Sequence, residues 1–156
     1  MRKYFLVLII IISSSGLSQK KTIDIVDKRS VIVRTAEEYL GYKYREKVNK
    51  TIFDCSGFVK FLMASIGENI TRSTVSQIHD GKRVSDTTKA KPGDILLFKG
   101  RNARNNRPGH VGLVHHWGND TLYFIHSSTS NGIEISNLFD TYFGKRFMQV
   151  RDIIGK

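Results

Sequence analysis

Two hydrophobic periodicities occur in this chain, and they occupy separate halves of it. The segment FDCSGFVKFLMASIG, Phe53 to Gly67, repeats Phe58, Val59, Leu62, Met63 and Ile66 at three- and four-residue steps, the mark of a helix with one apolar face. Asp54 precedes it with a carboxylate able to accept the unpaired N–H groups of a first turn, and Gly67 ends the pattern. A weaker helical spacing (Ile32, Ala36, Tyr39, Leu40) covers Lys28 to Leu40, with Gly41 as its cap. A short helix is also expected at Ser76 to Asp80. After the turn Lys91-Pro92-Gly93-Asp94 the pattern changes. Ile95 to Phe98 reads as a buried strand, and His110 to Trp117 and Thr121 to His126 as a hairpin about Gly118-Asn119-Asp120. Ile133/Ile135 and Phe147 to Ile154 complete the set. Helices followed by consecutive strands predict an α+β fold, with N-terminal helices packed on a central antiparallel sheet, rather than alternating βαβ units. The Phe58/Leu62/Ile66 face is expected to meet the Ile95–Phe98, His110–Trp117 and Thr121–His126 strands.

A length of 156 residues suits one domain with a sizeable core. Within it, residues 1–18 read as a signal peptide, 19–27 as a polar lead-in and 28–156 as the folded domain. Arg2 and Lys3 precede the apolar run Tyr4–Ile12, and Gly16 and Ser18 fit a cleavage site before Gln19. Nine residues of helix span about 13 Å, well short of a bilayer core of about 30 Å. Without a Cys after the run, a lipid anchor is not expected. The chain is therefore read as exported, to the periplasm or beyond. Its formal charge is +11, and losing Arg2 and Lys3 leaves +9. Such a surface favours anionic partners. Because the basic residues are dispersed, association with anionic envelope polymers is expected rather than with nucleic acid.

Cys55 is the sole cysteine. In an exported chain, where cysteines usually pair, a single one is a small buried hydrophobe, an intermolecular bridge or a reactive thiol. A helix start favours the thiolate, and so does a neighbouring imidazolium. Gly57 keeps bulk away from the first turn, whose N–H groups can also face an oxyanion. One Cys with scattered His is a poor zinc signature, so no metal or other cofactor is expected.

The base has to come from His79, His110, His115, His116 or His126. If the hairpin loop has three residues, Gly112 faces His126, and His110 becomes a diagonal neighbour of His126 on one face. A two-residue loop would put them on opposite faces. The first geometry admits a chain of nucleophile, base and a group that orients the base.

FDCSGFVKF, KPGDILLF, PGHVGLV and FIHSSTSNGIEIS, in this order, resemble the NlpC/p60 family of papain-like cysteine peptidases, from about Ala36 to Ile154. The resemblance implies a 28–156 catalytic domain with Cys55 as nucleophile, His110 as base and His126 as the orienting residue. It implies that Tyr44 helps the oxyanion hole, and that Asp54 and Ser56 hold the free amine of a stem peptide's L-alanine. The implied substrate is the peptidoglycan stem, cut after D-γ-glutamate and before the diamino acid. The chain is expected to be a monomer. After the Tyr the family commonly shows Trp-Gly-Gly; here Arg45-Glu46-Lys47 stands there, in a loop bordering the cleft. An amidase or acyltransferase using the same pair is a second reading, and a non-catalytic wall-binding protein a third.

Overall fold

The computed structural model describes residues 15–155. The apolar run Tyr4–Ile12 and its basic flank lie outside the described residues. Helix α1 (Ser15–Glu37) is followed by a small hairpin, β1 (Lys47–Val48) and β2 (Thr51–Ile52), then α2 (Cys55–Ser65) and the single turn α3 (Thr74–Gln77). The rest is β3 (Lys82–Val84), β4 (Ile95–Lys99), β5 (Pro108–Gly118), β6 (Thr121–Ser128), β7 (Gly132–Asn137), the short α4 (Thr141–Gly144) and β8 (Phe147–Asp152). Six strands form one antiparallel sheet in the order β3-β8-β4-β5-β6-β7. This is the α+β architecture expected, with helices leading and strands following. Helix α1 begins at Ser15, however, so the polar stretch 19–27 is helical and continuous with the segment predicted from Lys28. Among the described residues no helix is long and apolar enough to cross a membrane.

Both faces of the sheet are covered. On one, Phe58, Val59, Leu62, Met63 and Ile66 of the α2 region pack with Ile32 and Ala36 of α1 onto Ile95, Leu97, Val111, Leu113 and Ile125. On the other, Leu96, Phe98, Val114, Leu122, Phe124, Leu138 and Val150 form a second core. Strand β4 sits between its neighbours β8 and β5 and sends alternate side chains into each core, which is why its sequence is a continuous apolar run.

The start of β4 is tied to α1 by a single guanidinium. Arg29 donates from Nη1 to Asp94 Oδ1 (2.8 Å) and to the Pro92 carbonyl (2.7 Å), and from Nη2 to Asp152 Oδ1 (2.7 Å). Asp94 also accepts from the Lys91 N–H at 2.9 Å. The Pro-Gly-Asp turn is thus a turn whose carboxylate is buried against another element.

The β5–β6 hairpin departs from expectation in a way that matters for the site. Its loop is the two-residue Asn119-Asp120, with φ of 49° and 57°, between paired Gly118 and Thr121. These left-handed values match the two-residue turn that follows the strand twist. Alone, that loop would set His110 and His126 on opposite faces. A β-bulge between Val114 and His116 shifts the register by one, so that Leu113 pairs with Ile125. A Cβ built on Gly112 would accordingly lie 3.1 Å from the Cβ of His126. The expected juxtaposition is present, reached through a shorter loop and a bulge.

Candidate active site

Cys55 is the first residue of α2. The N-cap is Asp54, whose Oδ1 accepts from the Gly57 N–H at 2.7 Å. Gly57 has a different use from the one its sequence position suggests. The carbonyl of Ile52 occupies the place where its Cβ would stand, with the Asp54 and Arg72 side chains also about 3 Å away. The glycine admits the end of β2 against the helix start, not a substrate. Ser127 Oγ donates to the Phe53 carbonyl at 2.7 Å, and Gln77 Nε2 donates to the carbonyls of Ser56 (3.1 Å) and Thr71 (3.0 Å). The backbone around the thiol is therefore fixed from β6 and from the 71–77 segment.

His110 and His126 meet with Nε2 of the first 3.0 Å from Nδ1 of the second, their rings nearly perpendicular. His126 is 1% exposed, stacks on Phe124, and places its own Nε2 3.0 Å from Ser136 Oγ, with Glu134 Oε1 at 4.0 Å. The line of contacts is His110, His126, Ser136, and the free ring nitrogen of His110 is Nδ1. Neither Ser136 nor Glu134 was singled out from the sequence. The signal for them is the alternation of Glu134 and Ser136 with Ile133 and Ile135, which puts both on one side of β7, Glu134 paired with His126 and Ser136 with Phe124 in the ladder. His79, His115 and His116 stand apart from this line. His115 bonds Glu37 (2.7 Å) and touches His116, at the bulge.

Gly112 is where the two imidazoles depend on an absent side chain. A Cβ there would come within 2.5 Å of Phe124 Cδ2 and 3.1 Å of both the Ile125 carbonyl and the His126 Cβ. Gly112→Ala is therefore expected to cost about 1–3 kcal/mol of stability by overpacking. Because it displaces His126, activity should fall by roughly a hundredfold in protein that is still folded. Denaturant titration alongside initial rates checks this, and unchanged rates would show that the His126 position is not critical.

The electrostatics differ from a simple activated thiol. Burial, and then the Asp54 carboxylate, push the Cys55 thiol up, although the N–H groups of Val111, Ser56 and Cys55 itself favour the thiolate. Burial and the neighbouring His126 push His110 down to about 3, and burial pushes His126 down to about 4. All three shifts favour the uncharged forms of the thiol and the two imidazoles. The expectation that the helix start would leave a depressed thiol fails because desolvation outweighs it.

The remaining sequence-selected residues gather around the start of α2. Tyr44 is half-buried, and burial, then Cys55 and Asp54, hold its phenol protonated. Asp54 and Ser56 are both engaged by a residue the sequence reading passed over. Arg72 reaches Asp54 Oδ2 from Nη2 (2.7 Å), and Asp54 Oδ1 (3.0 Å) and Ser56 Oγ (2.8 Å) from Nη1. Arg45, the first residue of the unusual Arg45-Glu46-Lys47 stretch, takes a φ of 62°, the left-handed region that favours glycine. On the imidazole side a cleft of about 480 Å³ opens past His110 and His126, lined among others by Lys99, Arg101, Glu134, Tyr142 and Arg146.

The chain matches the NlpC/P60 family over residues 41–152. It is 33% identical over 133 residues to the murein DD-endopeptidase MepS/murein LD-carboxypeptidase of Escherichia coli (strain K12), covering 84% of this chain and 66% of that one. It is 31% identical over 144 residues to the gamma-DL-glutamyl hydrolase of Bacillus subtilis (strain 168), covering 87% of this chain and 32% of that one. The chain thus spans just under two thirds of the first relative's length and about a third of the second's. Among solved structures it resembles an NlpC/P60 family protein from Bacillus cereus ATCC 10987, with a TM-score of 0.67, 24% identity and coverage of 81% of this chain and 40% of the other, a likeness of fold. A match over most of the chain, with the helix-start thiol and paired imidazoles inside it, places this chain in the NlpC/P60 family.

Proposed function

We propose that this protein is a cysteine endopeptidase of peptidoglycan stem peptides, acting through Cys55, His110 and His126. The observation that carries the proposal is the hydrogen-bonded line from His110 through His126 to Ser136, with the Cys55 thiol at the start of α2 facing the N–H of Val111, the residue that follows His110. With His110 Nε2–H donating to His126 Nδ1, and His126 Nε2–H donating to Ser136 Oγ, every ring nitrogen but one is assigned. His110 Nδ1 is left unprotonated, as a base requires. Two relatives named as hydrolases of murein or γ-glutamyl bonds support the substrate class.

In the proposed reaction the sulfur of Cys55 attacks the carbonyl of D-γ-glutamate while its proton passes to His110 Nδ1. The backbone N–H of Cys55 and the phenol of Tyr44 face the oxyanion. His110 returns the proton to the departing amine of the diamino acid, leaving a thioester. Water then attacks this acyl group, giving its proton to His110, and the thiol is regenerated with a free γ-carboxylate on the stem. A diamino acid leaving group carries a carboxylate, and Arg101, Arg146 and Lys99 line the cleft on the imidazole side where it would depart.

A second reading has its own support. The relative that matches 84% of this chain is named both a murein DD-endopeptidase and a murein LD-carboxypeptidase, and a DD-endopeptidase reading of this chain puts the cut at a D-alanyl cross-link to a diamino acid. Both reactions release a diamino acid amine. Mass spectrometry of purified muropeptides incubated with the protein separates them. Loss of the L-alanyl-D-glutamyl portion from monomers is expected. Splitting of cross-linked dimers alone would transfer the assignment to the D-alanyl bond, and intact stems would reject the peptidase reading in favour of an amidase, a transferase or a binder.

A further inference from the structure

The basic residues between Lys82 and Lys91 read in the sequence as scattered surface charges, and the fold gathers them around one hollow. A cavity of about 590 Å³ lies between β3, the short 3₁₀ turn Thr87–Lys89, the turn that leads into β4 and the far end of β5. Lys82, Arg83, Lys89 and Lys91 line it, all of them exposed, and Trp117 stands beside them. The acids of the same wall are already engaged. Asp94 and Asp152 share the Arg29 guanidinium. Asp86 accepts from the N–H and the hydroxyl of Thr88, with Lys89 Nζ 3.9 Å away. Among the described residues no carboxylate pairs with Lys82, Arg83 or Lys91. Uncompensated cations on a concave surface focus a positive potential into it.

Trp117 is the only tryptophan of the chain and is 37% exposed. Its Nε1–H is spent on the Ala90 carbonyl at 2.9 Å, which fixes the indole and leaves ring surface, not a donor, for a ligand. Phe139, 55% exposed, has its ring centre 6.4 Å from that of Trp117 and prolongs the apolar surface. A fixed aromatic ring can pack on the apolar C–H face of a sugar, while surrounding cations hold anionic groups on its polar edge. A polyanion without rings would leave the indole uncovered, and a neutral sugar would leave the cations unused. Single-stranded nucleic acid calls for successive aromatics along a basic track, whereas here the cations surround one indole. The volume falls in the range of about 300–1,000 Å³ common to small ligand sites. Trp117 and His110 stand near opposite ends of β5, roughly 20 Å apart at the rise of a strand. We infer that this hollow is a second binding site, separate from the Cys55 cleft, for an anionic glycan: a chain of sugar rings bearing carboxylate or phosphate groups.

With a single tryptophan in the chain, intrinsic fluorescence reports occupancy of the hollow directly. The probe is tetragalacturonate, a short chain of sugar rings each carrying a carboxylate. Its controls are its methyl ester, with the rings and no charge, and tetraglutamate, with the charge and no rings. Tetragalacturonate should change the fluorescence saturably and bind at least about tenfold more tightly than either control. Lys82→Gln/Arg83→Gln/Lys91→Gln alters only exposed, unpaired side chains, so the fold should persist. It should weaken binding about tenfold, the scale of several exposed ion pairs together. Trp117→Leu, followed by calorimetry, should bring tetragalacturonate down to the level of tetraglutamate, and the charge variant decides alone should Trp117→Leu lose its fold. Lys99→Gln/Arg101→Gln, which removes cations from the imidazole-side cleft instead, should leave the affinity within about twofold. Equal affinity for either control overturns the inference, as does the lack of a saturable change with any probe. Tighter binding of oligothymidylate would assign the hollow to nucleic acid, and an equal loss from the Lys99/Arg101 variant would show attraction by bulk charge; both overturn it. None of these readouts depends on which bond, if any, Cys55 cuts.

Discussion

Cys55→Ala should abolish stem-peptide hydrolysis while leaving the fold intact. The scale for removing a nucleophile from a coupled set is roughly a millionfold in kcat, and the losses of its partners do not add. Folding should survive because Cys55 sits half-buried at the edge of the α2 core, where Phe58, Leu62 and Met63 supply the packing. Thiol labelling then reports how activation works. Since burial and Asp54 hold the resting thiol above an ordinary thiol, near pKa ~8.5, iodoacetamide should label the free protein slowly at pH 6 and faster as the pH passes 8.5. The substrate reaction should not follow that profile. His110, pushed down to about 3, is neutral and able to accept a proton across the whole range above roughly pH 4, so kcat/KM should stay level between pH 5 and 8. Burial penalises a lone thiolate and a lone imidazolium. Proton transfer from one to the other creates the charges side by side, and their attraction offsets part of that penalty. Fast labelling already at pH 6 would show a resting ion pair and overturn this account. Full turnover in Cys55→Ala would remove the peptidase proposal.

What could be read from the sequence was whatever depends on local periodicity. The α2 helix, its cap at Asp54, the buried β4 run and the approach of His110 to His126 all follow from steps of three, four or two residues. The hairpin shows the limit of such reading. A three-residue loop and a regular ladder, or a two-residue loop and a bulge at His115, give the same facing of Gly112 and His126. Nothing in Val114-His115-His116 marks the bulge. Polar contacts between distant segments were not legible. Arg72 reaches Asp54 across 18 residues and Arg29 reaches Asp94 across 65, and each arginine in isolation reads as an ordinary solvated charge. Gly57 was noticed for the right reason, lack of bulk, but the group that needs the room is the Ile52 carbonyl. The thiol shift was misjudged because sequence displays the helix start but not the depth of burial.

Arg29→Ala should destabilise the folded protein by about 3–5 kcal/mol, the range for removing one partner of a buried ion pair. Arg29 is 8% exposed and Asp94 1%. Burial already pushes the Asp94 carboxyl up, and the hydrogen bonds from Lys91 and Arg29 are what oppose this. Without the guanidinium a charged Asp94 would stay dry with one backbone N–H for company. Asp152 would lose its cation too, though it keeps the Gly155 N–H at 2.8 Å and at 20% exposure can turn to water. For a domain of this size each kcal/mol is worth roughly 2–4 °C, so a fall in Tm of about 6–20 °C is expected. The deficit should shrink as the pH falls. A carboxyl whose folded pKa is raised binds its proton more readily when folded, so acid relieves the unpaired charge. Arg29→Ala/Asp94→Asn should recover part of the loss for the same reason, and a double-mutant cycle gives the coupling directly. Arg29 lies upstream of residue 41, where the family match begins. A loss within about 0.5 kcal/mol would mean that α1 is an appendage. The full loss would mean that α1 is a structural part of the domain, holding the turn from which β4 starts.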